Sequence, residues 1–262
     1  MYYKGGCALR IEQRGKGYSF HFDSKYCLNK GNDEKAAFFE GLDRRDAAGF
    51  VEAFPVILSE MDSWFACHPK AERLFQHNLI KNNQGRLTIL DIEYAGWTSA
   101  KRLFRLDMLG VYKAEDGWRL VVFENKFGNG AIGGAAGIAK HYYDIVDILS
   151  NPASRDELVG SVIRIAGIKA ELGLLREPLD LRPDMAADIL FLMAGYNMKS
   201  QAIANEVRKM QAGEGSRVKA TEASRMQANE ASEMHASIPA RICFLDVGDT
   251  VIDYGRAREL FS

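Results

Sequence analysis

The sequence has few cysteines, and their spacing excludes several kinds of site. The chain has 262 residues, and its four cysteines lie far apart, at Cys7, Cys27, Cys67 and Cys243. Most zinc sites and thioredoxin-like redox centres contain a Cys-x-x-Cys pair, which this sequence lacks. We therefore expect neither kind of site, and a reducing compartment is the expected environment.

Long apolar runs are also missing. No run reaches the roughly 18 apolar residues that indicate a membrane-spanning helix. The N-terminal segment includes Lys4, Gly5 and Gly6 and lacks the apolar stretch of a signal peptide. We therefore expect a cytoplasmic protein with no membrane partner.

The chain has no excess of basic residues, although most nucleic-acid-binding proteins use such an excess to neutralise phosphates. Lysine and arginine total 34 and aspartate and glutamate 35, which gives a formal net charge of -1. A balanced total still permits a local basic patch, for which Arg44-Arg45, Lys101-Arg102 and Arg105 are candidates. Solvated surface charges are the simpler interpretation of these residues.

Apolar residues recur with two periodicities, and their alternation predicts an α/β fold with a mixed central sheet flanked by helices. Residues 7–13 and 18–22 flank a glycine-containing turn and predict an N-terminal β-hairpin. Strands are predicted at residues 86–94, 103–112, 118–127, 189–194 and 240–245. Helices are predicted at residues 70–80, 138–149, 154–171 and 200–210, and between Phe50 and Phe65 with an end or a kink at Pro55.

These elements predict a hairpin extension at residues 1–33, followed by one α/β domain at residues 34–262. Residues 212–237 are rich in Ala, Glu, Ser, Gln and Lys and contain few large apolar residues. This composition predicts either a poorly buried helix or a mobile connector.

Two apolar strand segments carry three charged side chains. Glu124 and Lys126 must point to the same face of their strand, because side chains alternate between the two faces. Charges on an apolar strand are costly unless they pair or bind something. If the preceding hairpin strand brings Asp107 beside them, two carboxylates and one ammonium form a pocket that suits a divalent cation and a phosphodiester. Alternatively, Glu124 and Lys126 form an ion pair on a solvent-facing sheet.

The chemistry of phosphodiester hydrolysis suggests a role for each group. Asp107 and Glu124 would supply carboxylate ligands to a metal, and the backbone carbonyl of Asn125 would supply a third oxygen. Lys126 would orient water or stabilise charge on the phosphate. A free lysine has a pKa of about 10.4 and is a poor base at neutral pH, so positioning and stabilisation are the expected roles of Lys126.

Residues 105–110 and 121–126 together resemble the PD-(D/E)XK nuclease superfamily. The first segment matches its first acidic motif, with Leu106 where a proline is usual, and the second matches its (D/E)-x-K strand. The resemblance covers about residues 50–150, which would form the core of the domain. It implies a restriction-endonuclease-like sheet, Mg²⁺ held by Asp107 and Glu124 with Mn²⁺ as a substitute, and nuclease activity with DNA as the expected substrate.

The resemblance also implies roles for flanking residues. An additional acid often precedes the first motif, and Glu93 fits that place better than Glu60. Polar residues in the following helix often contact DNA, which makes Lys140 a candidate for substrate binding. A salt bridge from Lys140 to Asp144 is the simpler reading, and His141 and Tyr143 are expected to be helix-face residues.

Residues 128–137 are rich in glycine, but no Gly-Lys-Ser/Thr follows, so this segment is not a P-loop. We expect either a mobile loop that lets the backbone approach a substrate or a plain flexible connection. The leading functional hypothesis is therefore a Mg²⁺-dependent nuclease, with a homodimer expected by analogy with enzymes that cut both strands. The alternative is a non-catalytic module that keeps the fold and binds nucleic acid or protein.

Overall fold

The computed structural model divides into two compact units, Met1–Asn78 and Leu79–Ser262. The described residues are 1–15, 17–27, 47–69, 71–85, 87–97, 103–128, 132–134, 137–197, 199–212, 238–246, 248, 250–253 and 258–259. The expected boundary at residue 33 and the expected connector after residue 212 lie outside these ranges. The domain limits therefore stay predictions.

The N-terminal unit contains two short antiparallel strand pairs and a long helix. Its elements are β1 (Tyr2–Tyr3), β2 (Gly6–Cys7), β3 (Arg10–Arg14), β4 (Gly17–His21) and helix α1 (Ala47–Cys67), followed by α2 (Ala71–Asn82). Strands β3 and β4 form the hairpin that the sequence predicts. The core of this unit is formed by Ala8, Tyr26, Phe50, Ala53, Ile57 and Met61.

Helix α1 runs through Pro55, so of the two alternatives expected at this residue the end is wrong, and the kink stays a prediction. A proline inside a helix removes one backbone hydrogen bond and costs about 3 kcal/mol. Pro55 is exposed, whereas Ala53 and Ile57 on either side of it are buried. Burial of the apolar face offsets the lost hydrogen bond and keeps the helix continuous.

The second unit is built on a mixed sheet of five long strands and one short edge strand. They are β5 (Leu87–Trp97), β6 (Leu103–Ala114), β7 (Gly117–Phe127), β8 (Ala187–Ala194), β9 (Ala240–Leu245) and β10 (Arg258–Glu259). The order across the sheet is β10-β9-β8-β7-β6-β5. Strands β5, β6 and β7 form an antiparallel meander, β7, β8 and β9 are parallel, and β10 is antiparallel to β9.

Helices connect the parallel strands, as parallel pairing requires. Helices α3 (Ile138–Ser150) and α4 (Pro152–Glu171) lie between β7 and β8 in the chain, and α5 (Gln201–Gln211) lies between β8 and β9. Residues of α3, α4 and α5 pack with one face of the sheet in the main core of this unit. The expected α/β fold with a mixed central sheet and flanking helices is confirmed at this level. Among the described residues, no helix has the length and apolarity to cross a membrane.

Strand β5 contains an irregularity that bears on the candidate site. Its pairing with β6 shifts register between Ile89 and Asp91, and Glu93 has a backbone φ of 53°. Positive φ is uncommon for residues other than glycine. The alternation of side chains along β5 is therefore interrupted on both sides of Ile92.

The ion pair between Arg119 and Asp188 gives a test of the central sheet. Asp188 is 2% exposed and accepts hydrogen bonds from the Nε and Nη2 of Arg119, the latter at 2.7 Å. Asp188→Asn leaves the guanidinium half-buried without its carboxylate, so we expect a loss of about 2 kcal/mol in the free energy of unfolding. Asp116 also contacts Arg119, at 3.5 Å, but its side chain is 72% exposed. Asp116→Asn is the control and should change stability by less than about 0.5 kcal/mol in urea unfolding. Equal losses in the two variants would contradict the buried pair.

Candidate active site

The site predicted from the sequence lies where β6 separates from β7. Their antiparallel pairing runs from Ala114↔Gly117 to Met108↔Phe123, which places Asp107 and Glu124 next in register across the two strands. Beyond that point the backbone N–H of Asn125 donates to the Oδ2 of Asp107 at 2.8 Å. A side-chain carboxylate has thus taken the place of the main-chain acceptor that a continuing ladder would supply.

Glu124 and Lys126 form a buried ion pair within one strand. The Nζ of Lys126 donates to the Oε1 of Glu124 at 2.8 Å, and the two residues are 9% and 3% exposed. The ion pair of the alternative interpretation is therefore present, but it lies within one strand and is buried, so a cross-strand pair on a solvent-facing sheet is wrong. Burying two charges costs several kcal/mol, and an apolar pair of similar size would stabilise such a core at least as well. The pair is thus not explained by stability alone.

His141, on helix α3, completes the surroundings of Glu124. Its Nδ1 lies 3.2 Å from the Oε1 of Glu124. Burial, reinforced by the charge of Lys126, lowers the pKa of His141 from 6.5 to about 4. The imidazole is therefore neutral at pH 7. The Nδ1 of His141 thus lies in close contact with the carboxylate of Glu124, and the neutral ring adds no charge to the ion pair.

His141 is expected from the sequence to be a helix-face residue, and the sequence does not predict its contact with Glu124. The signal was present in the helical spacing. His141 follows Ile138 by three residues and precedes Ile145 by four, so it lies at the edge of the buried stripe of α3 and is half-buried. A polar residue inside an apolar stripe points to a polar partner on the opposing surface, which here is the sheet.

Helix α3 is fixed by two hydrogen bonds to helix α5. The Oε2 of Glu206 accepts from the backbone N–H of Ala139 at 3.2 Å, at the start of α3. One turn later, the hydroxyl of Tyr143 donates to the backbone carbonyl of Met210 at 2.7 Å. The negative charge of Glu206 also complements the positive end of the helix dipole. His141 lies between these two attachment points, so its position above the sheet is firmly set.

The glycine-rich segment before α3 makes room for Glu206. A Cβ at Gly137 would lie 2.7 Å from the Oε2 of Glu206, and one at Gly133 would lie 3.2 Å from Oε1. Close approach of the backbone was one of the two expectations for residues 128–137, but the group approached is the chain's own carboxylate. Residues 129–131 and 135–136 lie outside the described part of the chain.

The two remaining candidate residues, Glu93 and Lys140, lie on β5 and α3. Glu93 is exposed on β5, and Lys140 on α3 pairs with Asp144 one turn along the helix. The salt bridge expected for Lys140 is therefore present. Roles for Glu93 in catalysis and for Lys140 in substrate binding stay predictions.

The donor set around Asp107 fits a hard divalent cation. N–H and C=O of one strand residue point to the same edge, so the carbonyl of Asn125 faces the Asp107 side, where its N–H donates. Two carboxylates and one carbonyl are oxygen donors, and Mg²⁺ commonly uses only one or two protein carboxylates, with water or phosphate as the other ligands. Within the described residues, however, no three His, Cys, Asp or Glu side chains converge as a ready-made metal site.

Comparisons with known proteins found no matching family model, no matching curated protein and no matching solved structure.

The contact between Gly137 and Glu206 can be tested by adding one methyl group. Gly137→Ala should cost about 1–3 kcal/mol, because the new Cβ lies too close to both Glu206 and the backbone of Gly133. Gly167→Ala in α4 is the control. No atom lies within 4 Å of its Cβ position, so helix propensity should stabilise the protein by about 0.5–1 kcal/mol.

The same experiment includes a double variant. In a Glu206→Ala background the carboxylate is gone, so Gly137→Ala should cost less than it does alone. Urea unfolding of all four variants measures these differences. The proposed clash is contradicted if Gly137→Ala costs the same in both backgrounds.

The lowered pKa of His141 predicts a pH dependence of stability. Between about pH 6.5 and pH 4 the unfolded chain binds more protons at this residue than the folded protein, so stability is lost as the pH falls through this window. His141→Asn keeps a side-chain N–H but does not titrate. We expect the wild type to lose about 2 kcal/mol more than this variant between pH 7 and pH 4, after allowance for partial exposure. Urea unfolding at both pH values measures the difference, and parallel pH profiles would disprove the assignment.

Proposed function

We propose that this protein is a metal-dependent nuclease of the PD-(D/E)XK type, with DNA as the expected substrate. One observation carries the proposal. Asp107 and Glu124 come next in register where the pairing of β6 and β7 ends, Asp107 accepts from the backbone N–H of Asn125, and Lys126 pairs with Glu124. The restriction-endonuclease-like fold is part of the same proposal and is supported by a mixed sheet with a meander followed by parallel strands.

In the proposed reaction, Asp107, Glu124 and the carbonyl of Asn125 would hold Mg²⁺ or Mn²⁺. When bound, the cation would neutralise the phosphate and lower the pKa of water. A water oxygen forms a bond to phosphorus and loses a proton, while the bond to one ester oxygen breaks and that oxygen takes up a proton. Lys126 stabilises the charge that develops on the phosphate and orients the water.

His141 acts through Glu124. Its Nδ1 and the ammonium of Lys126 both lie against the Oε1 of Glu124, which restrains the rotation of that carboxylate. A neutral imidazole restrains the carboxylate without adding a second positive charge beside Lys126. His141 is therefore a positioning residue in this proposal.

A second candidate function is a non-catalytic module that binds nucleic acid or protein. Two observations favour it. The formal net charge is -1, and the described residues contain no ready-made group of three metal-binding side chains. Calorimetry with Mg²⁺ and Mn²⁺ separates the candidates. Absence of metal binding even with DNA present would favour the module.

The nuclease proposal predicts cleavage of supercoiled plasmid or of labelled oligonucleotides with Mg²⁺ or Mn²⁺. Asp107→Asn and Lys126→Gln should each reduce the cleavage rate about 10²- to 10⁴-fold, because each removes a charge that acts on the reacting phosphate. Gel electrophoresis of products over time measures the rates. Size-exclusion chromatography with and without DNA tests the expected homodimer.

Asp116→Asn serves as the matched control for these variants. Asp116 is an exposed carboxylate at the opposite end of β7, in the turn before it, so its loss should leave the rate unchanged within about twofold. Undiminished cleavage by Asp107→Asn and Lys126→Gln would show that the nuclease site is wrongly assigned.

A further inference from the structure

Strands β5 and β6 continue past the candidate site as a two-stranded ribbon. Strand β6 pairs with β7 only as far as Met108, but its pairing with β5 continues to Trp97↔Leu103. We call residues 94–97 and 103–106 the ribbon. It begins immediately beyond Asp107, which is where the proposed reaction takes place.

The two faces of the ribbon differ in their surroundings. Directly opposed residues share a face, so Tyr94 and Leu106 lie on one side together with Phe104. These three pack into the core of the second unit. The opposite face carries Ala95 with its partner Arg105, and Trp97 with its partner Leu103. We call this opposite side the outer face.

The outer face is exposed and contains large apolar groups. Trp97 is 56% exposed, Leu103 is 46% exposed, and Arg105 is also exposed. Arg105 precedes Asp107 by two residues along β6, which corresponds to about 7 Å of strand. A cation and an aromatic ring are therefore present on the ribbon, near Asp107 along the chain.

The charges and the ring together favour one occupant. A nucleic-acid strand with its phosphodiester at Asp107 would place an adjacent phosphate within reach of Arg105 and a neighbouring base near Trp97. The formal net charge of -1 provides no overall attraction to phosphates, and base stacking would add affinity that does not depend on charge. Bases in a duplex have their faces covered by neighbouring bases. Only an unpaired base can stack fully on Trp97.

We propose that the outer face, formed by Trp97, Leu103 and Arg105, binds an unpaired base and its phosphate beside the bond that is cleaved. The substrate class is therefore nucleic acid with a single-stranded segment at the cleavage point. This inference rests on the proposed nuclease function, because that function places the phosphodiester at Asp107.

Binding is measured without cleavage, so that the two proposals can fail separately. Fluorescence anisotropy of a labelled single-stranded 12-nucleotide oligothymidine and of a matched duplex is recorded with EDTA and again with Ca²⁺. Trp97→Ala should weaken single-strand binding about 5- to 100-fold and change duplex binding less than about twofold. Trp97→Phe should retain most of the affinity, because a phenyl ring still stacks.

Arg105→Gln tests the phosphate contact separately. The slope of log affinity against log salt concentration should decrease by about 0.7 for single strands, which corresponds to one phosphate contact. Leu174→Ala is the control. Leu174 is also 56% exposed and follows α4, where its neighbour Leu175 lines a small pocket with Thr88, near the start of β5. Its substitution should change neither affinity nor slope.

Several outcomes would overturn the proposal. The proposal fails if Trp97→Ala binds the single strand as tightly as the wild type, or if this substitution weakens single-strand and duplex binding equally. It also fails if the wild type does not bind the single strand in either buffer. Conversion of a dimer to a monomer by Trp97→Ala, with binding unchanged, would assign the outer face to a second copy of the chain. Binding that depends on Trp97 without any cleavage would refute the nuclease and leave the outer face standing. Cleavage by a Trp97→Ala variant whose single-strand binding is unchanged would refute the role of the outer face and leave the nuclease proposal standing.

Discussion

The hydrogen bond from the backbone N–H of Asn125 to the carboxylate of Asp107 marks the position on which the site and the ribbon both depend. On one side of this bond, β6 and β7 form a regular antiparallel ladder with apolar residues on both faces. On the other side, β6 leaves with β5, and β7 continues beside β8. A sheet that divides in this way exposes polar backbone edges, which must be satisfied by side chains or by a ligand. Asp107 satisfies one of them and remains partly exposed.

Next to the point where the two strands separate lies a charged pair that is largely shielded from solvent. Lys126 and Glu124 are flanked by the apolar residues of β8 and covered by α3. Helix α3 contributes His141, and its position is determined by Glu206 and Met210 on α5. The geometry around Glu124 therefore depends on α3, which follows β7 along the chain, and on β8 and α5, which lie much farther along it.

The sequence predicted the local elements well because their signals are local. Strands β6 and β7 follow from apolar runs bounded by a turn, and α3 from its apolar stripe. Strand alternation alone was sufficient to place Glu124 beside Lys126, and the hairpin register puts Asp107 and Glu124 one step beyond the last pair, Met108↔Phe123. The contacts that could not be predicted depend on which helix packs against which strand or helix. The partner of His141 is known only once α3 is known to cover β7, and the partner of the glycines only once α5 is beside α3. The expected end of the helix at Pro55 failed for a related reason. Burial of the apolar face of α1 outweighs the local cost of the proline.

The close fit between Gly137 and Glu206 has a consequence for how this chain can vary over evolution. The carboxylate requires a residue without a side chain opposite it, and such a residue leaves an empty space if the carboxylate is lost. The two positions should therefore change together among divergent relatives, although 69 positions separate them in the sequence. A lineage that replaces Glu206 with a smaller residue gains freedom at Gly137. It also loses one of the two attachments that fix the helix carrying His141. Covariation of this pair would thus record whether selection preserves the geometry around Glu124.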